Sequence, residues 1–563
     1  MKKSVQRLLC AGLVCALLSP AALAAEFTTV RVDGVDDFGA AFKRLRYADD
    51  KTPIPLSMYS WDGSVFGTIP VENASRPVEV FRTDEYQPPS TDEEDMYGMR
   101  DLAAMGVLNG DSDGRFHPER NVTRAEAAAM LVRTLGVTLA DGTDSGYADV
   151  PADAWYASVV QTARECGIVS PDTQFHPESP VTREQFTVMT ARTMAYAGLL
   201  SMDRSAPQTY TFEDEAQIAL WAQDAYRSLG TASYLIDMEE GPGSDDPTYL
   251  GSALYYARPQ QAVTRGEAAE LIGSCIDWLP VYPTAAARAA GLDEEMPIVD
   301  GSTSTLPFTD AVYSMLFTNG SRHPAKPASH SKSHASYERL INGEVDMLFA
   351  SVYPASDILA LAEEKGVALE LIPIAHDAMI FFTNKDNPAT GLTSEQISSI
   401  YVDNAYDNWS EIGGPDALLY PYCRNNDSGS HAQMERHFLH GAEINETIRQ
   451  ETTSYAMQSI LTDVIGAQTD DPTGYALGYS IYYYFWNADM VLGTANRLKL
   501  LEIDGVAPTD QSIADGSYPL ANNTYVVLRA DTPEDAPARR LAAFMLTPEG
   551  QQCVSNAGYG PLQ

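Results

Sequence analysis

The segment GRFHPERNVTRAE, Gly114 to Glu126, recurs as TQFHPESPVTREQ at Thr173 to Gln185 and, degraded, as ARPQQAVTRGE at Ala257 to Glu267. Phe116, His117, Pro118 and Glu119 are matched by Phe175, His176, Pro177 and Glu178. An amphipathic stretch precedes each copy: MYGMRDLAAMGV (Met96 to Val107), DAWYASVVQTAREC (Asp153 to Cys166) and IALWAQDAYRSLG (Ile218 to Gly230). Such self-similarity means helix–loop–helix units, none of which can bury its apolar face alone, so the three copies must pack together. This predicts an all-α module over 86–285, with repeats at about 95–140, 147–200 and 212–280. Thr123 with Glu126, Thr182 with Gln185 and Thr264 with Glu267 fit the capping box, in which N-cap and N3 side chains satisfy each other's backbone N–H groups. The arginines between them need a different reason. Arg124, Arg183 and Arg265 fall at the first helical position, where the helix dipole disfavours a cation, so an anionic partner is expected at each.

Ahead of the repeats, residues 25–85 alternate apolar and polar positions (FTTVRV, SVFGTIPV, PVEVF), which predicts a small β-rich leader. The acidic, proline-bearing YQPPSTDEEDMYG, Tyr86 to Gly98, reads as a linker. Residues 1–24 have the basic start, apolar core and small-residue end (Ala22-Leu23-Ala24) of an export signal. No later run approaches the roughly 20 apolar residues that span a bilayer, so no transmembrane segment is expected after signal removal. The 563 residues carry a formal charge of −40. So acidic a chain is a poor partner for nucleic acid, and any anion ligand must be held by local donors. Beyond the signal, Cys166, Cys275, Cys423 and Cys553 are too sparse for a disulfide framework and wrongly spaced for zinc, so they are expected as buried free thiols.

From about residue 290 to 563 strand-like and helix-like runs alternate, as in an α/β domain, and the length suits two lobes with a cleft between them. MPIV (Met296 to Val299) reads as a buried strand running into DGSTSTLP (Asp300 to Pro307), with Pro307 in the first turn of a helix. LLYPYCR (Leu418 to Arg424) is a second strand, followed by NNDSGS (Asn425 to Ser430) and the helix-like HAQMERHF. Two hydroxyl-rich helix starts and one strand-end arginine provide what a dehydrated oxyanion needs: N–H and O–H donors, and a planar cation for charge-assisted hydrogen bonds. Between Asp310 and Glu338 there is no acid, while Arg322, His323, Lys326, His330, Lys332 and His334 all occur. His330 and His334 have helical metal-ligand spacing, but no carboxylate or thiol accompanies them, and no metal or cofactor is expected. Ser428 with His431 lacks a third group and a G-x-S-x-G elbow, so the chain is not read as an enzyme, and surface hydrolysis is the weakest of the readings.

The TRAE, TREQ and TRGE copies resemble the motif of the S-layer homology family. That resemblance implies docking onto acidic secondary cell-wall polysaccharide through Arg124, Arg183 and Arg265, and a secreted protein of a Gram-positive-type wall or S-layer. DGSTSTLP, SHASYERLINGEVDMLFAS (Ser333 to Ser351), IAHDAMIFFTNKDNPATGLTSEQI (Ile374 to Ile397), NWSEIGG (Asn408 to Gly414), YCRNNDSGS (Tyr422 to Ser430) and ALGYSIYYY (Ala476 to Tyr484) together resemble the periplasmic phosphate-binding proteins that serve phosphate ABC importers. By that resemblance the domain at 290–563 binds inorganic phosphate or a similar oxyanion through Ser302, Thr303 and Ser333 from one lobe and Arg424, Ser428, Gly429 and Ser430 from the other, with an ABC permease as partner. One position departs. The family's carboxylate that accepts the phosphate proton falls at Val352 in FASVYPAS, and Asp357 replaces it only if the loop shifts. The alternative is a structural surface protein whose binding-protein-like domain has a changed or lost ligand.

Overall fold

The computed structural model describes residues 26–36, 40–60, 62–87, 98–202, 212–229, 237–239, 254–456, 458–470 and 473–562. The export segment, most of the linker and the third-repeat insertion around GPGSDDP lie outside them. The chain divides into two compact units, Met1–Pro280 and Val281–Gln563. No helix among the described residues is long and apolar enough to cross a membrane.

In the first unit the leader forms two small antiparallel sheets. Phe27–Val32 and Ser57–Ser60 flank Ser64–Pro70, and Pro53–Ile54 and Val78–Arg82 flank Lys43–Tyr47. Leu45, Tyr47, Ile54, Val65 and Ile69 form their core. The buried Arg44 ties the leader to the repeats, its Nη2 lying 3.1 Å from both Asp101 and Asp277.

The repeat helices are Met99–Ala104 with Arg124–Leu135, Ala157–Glu165 with Arg183–Tyr196, and Gln223–Leu229 with Arg265–Trp278. Their inner faces, rich in Ala, Leu, Val and Met, merge into one core. All three capping boxes form. The copies are then joined in a cycle by their backbones: Val122 N–H donates to Val263 O (2.9 Å), Val263 to Val181 (2.9 Å), and Val181 back to Val122 (3.1 Å). The arginines at the first helical position repeat the pattern, with Arg124 N–H donating to Ser179 O, Arg183 to Gln261 and Arg265 to Arg120. Helix N-terminal N–H groups, which have no partner within their own helix, are thus satisfied by the loop of another repeat. The all-α expectation for this module does not hold throughout. Asp237–Glu239 pairs antiparallel with Leu254–Tyr256, where the Leu-Tyr-Tyr run favours a strand.

The second unit is built on one sheet with strand order Leu418–Pro421, Gly474–Ile481, Leu369–Asn384, Ala521–Arg529, Met347–Ala350, Val299–Gly301. The segments VALELIPIA and AMIFFTN, which read as separate strands, are one continuous strand with a register shift between Pro373 and Ala375. Its first part, up to Ala378, pairs with Ala521–Arg529; from Met379 it pairs with Gly474–Ile481. Each part serves a different core. Phe308, Phe349, Val526 and Leu541 pack on one side, and Phe381, Tyr401, Trp409 and Tyr479 on the other. The unit is thus two α/β lobes sharing a strand, with Met379 N–H donating to Leu520 O (3.1 Å) where the chain crosses back. The strand expected at Met296 begins at Val299. Pro297 has no N–H for the ladder, which starts only beyond it. The four described cysteines are free thiols, three buried and Cys166 half-buried.

Candidate functional site

Val299–Gly301 ends in a turn, Thr303–Thr305, that feeds the helix Leu306–Leu316, with Pro307 in its first turn. Gly301 is required there: an added Cβ would lie 2.1 Å from Phe349 O. Asp300 fixes the facing loop. Its buried carboxylate accepts from Gly301 N–H (2.8 Å), Ser331 N–H (2.8 Å) and Ser331 Oγ (2.6 Å) and pairs with Arg339. Burial pushes the Asp300 carboxyl up, but the Ser331 and Gly301 bonds and the Arg339 charge outweigh it and leave it below the usual range. His330 is held in the same loop, its Nδ1 2.9 Å from Ser302 O and its Nε2 3.0 Å from Thr309 Oγ1. His334 instead pairs with Asp357 at 2.7 Å, so the two histidines at metal spacing have separate partners. Asp300 and His330 place Ser333 Oγ 2.9 Å from Ser302 Oγ.

On the other lobe, Cys423–Arg424 pairs in parallel with Thr453–Ser454. Arg424 is 6% exposed, its N–H donates to the Tyr479 hydroxyl (2.9 Å) and its Nε to Ser454 O (2.9 Å). Burial lowers the Arg424 pKa. Among the described residues no carboxylate forms an ion pair with this guanidinium. The chain then turns through Asn425–Asp427 into Gly429–Met434. Ser428 Oγ caps that segment by accepting His431 N–H (3.1 Å), so the contact between Ser428 and His431 is a backbone cap. Gly429 lies close against the other lobe. A Cβ there would lie 2.8 Å from Ser333 Oγ and 3.1 Å from Val352 Cγ2.

Ser302, Thr303 and Ser333 from one lobe and Arg424, Ser428, Gly429 and Ser430 from the other line a single cavity of about 150 Å³. Sequence reasoning missed Ser304, Lys332, Ser351, Asp427 and Tyr455, which line it too. Ser304 Oγ is buried and has no hydrogen-bond partner among the described residues. Its signal was present, in the same hydroxyl run as Ser302 and Thr303.

The repeat arginines diverge. Arg183, 3% exposed, pairs with Glu267 (2.6 Å) and Asp237 (3.0 Å). Arg265, 4% exposed, lies 3.4 Å from Glu126 and 3.7 Å from Asp111, and its Nε donates to Phe116 O. The anionic partners expected of these two are therefore acids of neighbouring repeats. Arg124 sits with its guanidinium 5.3 Å from the centre of the Phe175 ring, without an acid in ion-pair reach among the described residues.

Residues 89–128 and 146–187 match the S-layer homology domain, and residues 299–549 match the PBP superfamily domain. The chain joins an S-layer homology module to a PBP superfamily domain. It is 24% identical over 291 residues to the protein SphX of Synechococcus elongatus, spanning 50% of this chain and 80% of that one. It is 25% identical over 221 residues to the phosphate-binding protein PstS of Borreliella burgdorferi, spanning 39% and 75%. Among solved structures, a phosphate-bound substrate-binding protein of a putative phosphate ABC transporter from Clostridium perfringens is 23% identical, with 47% of this chain and 98% of that one covered and a TM-score of 0.36.

Within the PBP superfamily domain, the expected acid position is filled by the buried Val352, behind Ser333 and Gly429 in a smaller adjoining cavity. Asp357 does not move in to replace it. It starts the helix Ser356–Lys365 and is engaged by His334.

Proposed function

We propose that the PBP superfamily domain binds a tetrahedral oxyanion between its lobes, inorganic phosphate first among the candidates, and that it is a binder with no catalytic step. The observation carrying this is Arg424: a buried cation without an acidic partner among the described residues, beside hydroxyls of both lobes. An isolated buried charge costs several kcal/mol unless it is paired, so an anion in the cavity is its natural complement. Ser302, Thr303, Ser333, Ser428 and Ser430 supply short hydroxyl contacts, and Gly429 lets the lobes close over the ligand. The S-layer homology module would hold the chain on secondary wall polysaccharide after export, where the domain hands its anion to an ABC permease. In that module we assign polymer contact to Arg124, and give Arg183 and Arg265 the added task of locking the repeats.

Thermal unfolding of the exported chain with phosphate, sulfate, molybdate and tungstate tests this. A ligand at a hundred times its Kd should add about 2.7 kcal/mol of stability. A second reading, a structural surface protein with a changed ligand, is favoured by Val352. Stabilisation by none of the four anions at millimolar concentration would decide for it.

A further inference from the structure

The oxyanion cavity is shut on one side and open on another. It is shut where the lobes touch. A Cβ on Gly429 would lie 2.8 Å from Ser333 Oγ, and the Arg436 guanidinium of one lobe lies 4.9 Å from the centre of the Tyr353 ring of the other. It is open past Tyr455 and Ala456, which line it and are exposed, Tyr455 to 75%. The donors at its floor, Ser302, Ser304, Arg424 and Ser430, are buried. An oxyanion seated on them therefore keeps one corner toward solvent while the lobes are in contact. Tyr455 is held at that opening. Thr453–Ser454 pairs in parallel with Cys423–Arg424, and Ser454 O accepts from Arg424 Nε (2.9 Å), so the residue that follows is carried on the anchor of the guanidinium. Among the described residues the Tyr455 ring packs on no other ring and no cation. A large aromatic face beside an anion site is thus left in water, where covering it is favourable. Lys332 and Asp427, exposed on the same lining, carry opposite charges and leave the rim without net charge.

We infer that the cavity takes phosphate monoesters, the terminal oxygens resting on the buried donors and a neutral organic group passing out over Tyr455. This rests on the oxyanion reading above and adds the ligand's substituent to it. The terminal oxygens carry the negative charge, and the floor hydroxyls and guanidinium meet them with charge-assisted bonds. The ester oxygen carries little charge and needs no donor of its own, so it suits the corner that faces the rim. The organic group then replaces water on the Tyr455 ring. Polar groups orient the ligand and an aromatic wall covers its apolar part, the usual division of labour in a small-molecule site.

Titration calorimetry on the full exported chain, with inorganic phosphate and phenyl phosphate, tests this. Wild type should bind phenyl phosphate no more than about tenfold more weakly than inorganic phosphate; weaker binding than that overturns the inference and leaves the oxyanion reading intact. Tyr455→Ala should lower phenyl phosphate affinity about three- to tenfold, the scale of one aromatic contact, and change inorganic phosphate less than about twofold. Tyr455→Phe, which keeps the ring, should bind the ester as wild type does. Because Tyr455 is exposed, both variants should unfold at the wild-type temperature, which separates a lost contact from a lost fold. An alanine variant with unchanged ester affinity, or with equal losses for the two anions, overturns the inference. Wild type binding neither anion at millimolar concentration overturns the oxyanion reading as well.

Discussion

Replacing Arg424 by methionine separates what this residue does for the fold from what it does for the ligand. Methionine preserves most of the buried volume and removes the charge. In the ligand-free chain two terms oppose each other. The variant loses the Nε bond to Ser454 O, a charged hydrogen bond of about 1.5–3 kcal/mol, and escapes the several kcal/mol cost of a buried cation without an acid. Free Arg424→Met should therefore be no less stable than wild type by more than about 1 kcal/mol. The bound chain should behave differently. Losing a buried charge-assisted pair costs about 2–5 kcal/mol, or roughly thirty-fold to several-thousand-fold in Kd. At a phosphate concentration that gives wild type about 2.7 kcal/mol of added stability, a thirty-fold weaker variant gains only about 0.9 kcal/mol. Urea unfolding with and without phosphate reads both numbers. A variant that keeps the full ligand-induced gain, or that loses several kcal/mol when free, would refute the reasoning.

Gly429→Ala places a Cβ 2.8 Å from Ser333 Oγ, and we expect an overpacking cost of about 1–3 kcal/mol in oxyanion affinity by calorimetry, partly recovered by adding Val352→Ala. Arg183→Ala and Arg265→Ala should each destabilise the repeat module by about 1.5–3 kcal/mol in thermal unfolding, because each removes charge-assisted bonds to half-buried acids of a neighbouring repeat. Arg124→Ala should cost about 1 kcal/mol or less, the scale of its aromatic contact, and act instead on sedimentation with purified cell walls. Asp377 is fully buried where the lobes meet, and burial pushes its carboxyl up to about 8. The folded chain then keeps a proton that the unfolded chain releases near 3.8, so stability falls as pH rises between those values, by at most about 1.4 kcal/mol per unit. Asp377→Asn should flatten that decline in urea unfolding at pH 5 and pH 8; an unchanged slope would show that Asp377 is not its source.

Ser302, Thr303, Ser333, Arg424, Ser428, Gly429 and Ser430 were legible because each lies in a short local motif: a strand end, a hydroxyl-bearing turn or a helix start. Lys332 was legible only as one cation of the acid-free stretch, and nothing local placed it on the cavity. The continuous strand Leu369–Asn384 read as two because Pro373 and a register shift interrupt its pattern, yet pairing with Ala521–Arg529 and Gly474–Ile481 carries it across. The repeat arginines mark the limit most clearly. That Arg183 is a cation needing an anion could be read locally. That the anions are Glu267 and Asp237 depends on how distant copies meet, which spacing alone does not encode. The Leu254–Tyr256 strand was missed because the repeat pattern around it argued for helix.

Val122, Val181 and Val263 close their backbone bonds in a circle, and the circle has an arithmetic consequence. An open stack of repeats grows or shrinks by one copy and needs special copies at its ends. Here every copy is both donor and acceptor to another, so the number three is fixed. Neither a deletion nor a tandem duplication leaves all three main-chain partners in place. Because these bonds use only N–H and C=O, they are blind to side chains. The third copy, ARPQQAVTRGE, keeps both of these bonds although its side chains differ from those of its siblings.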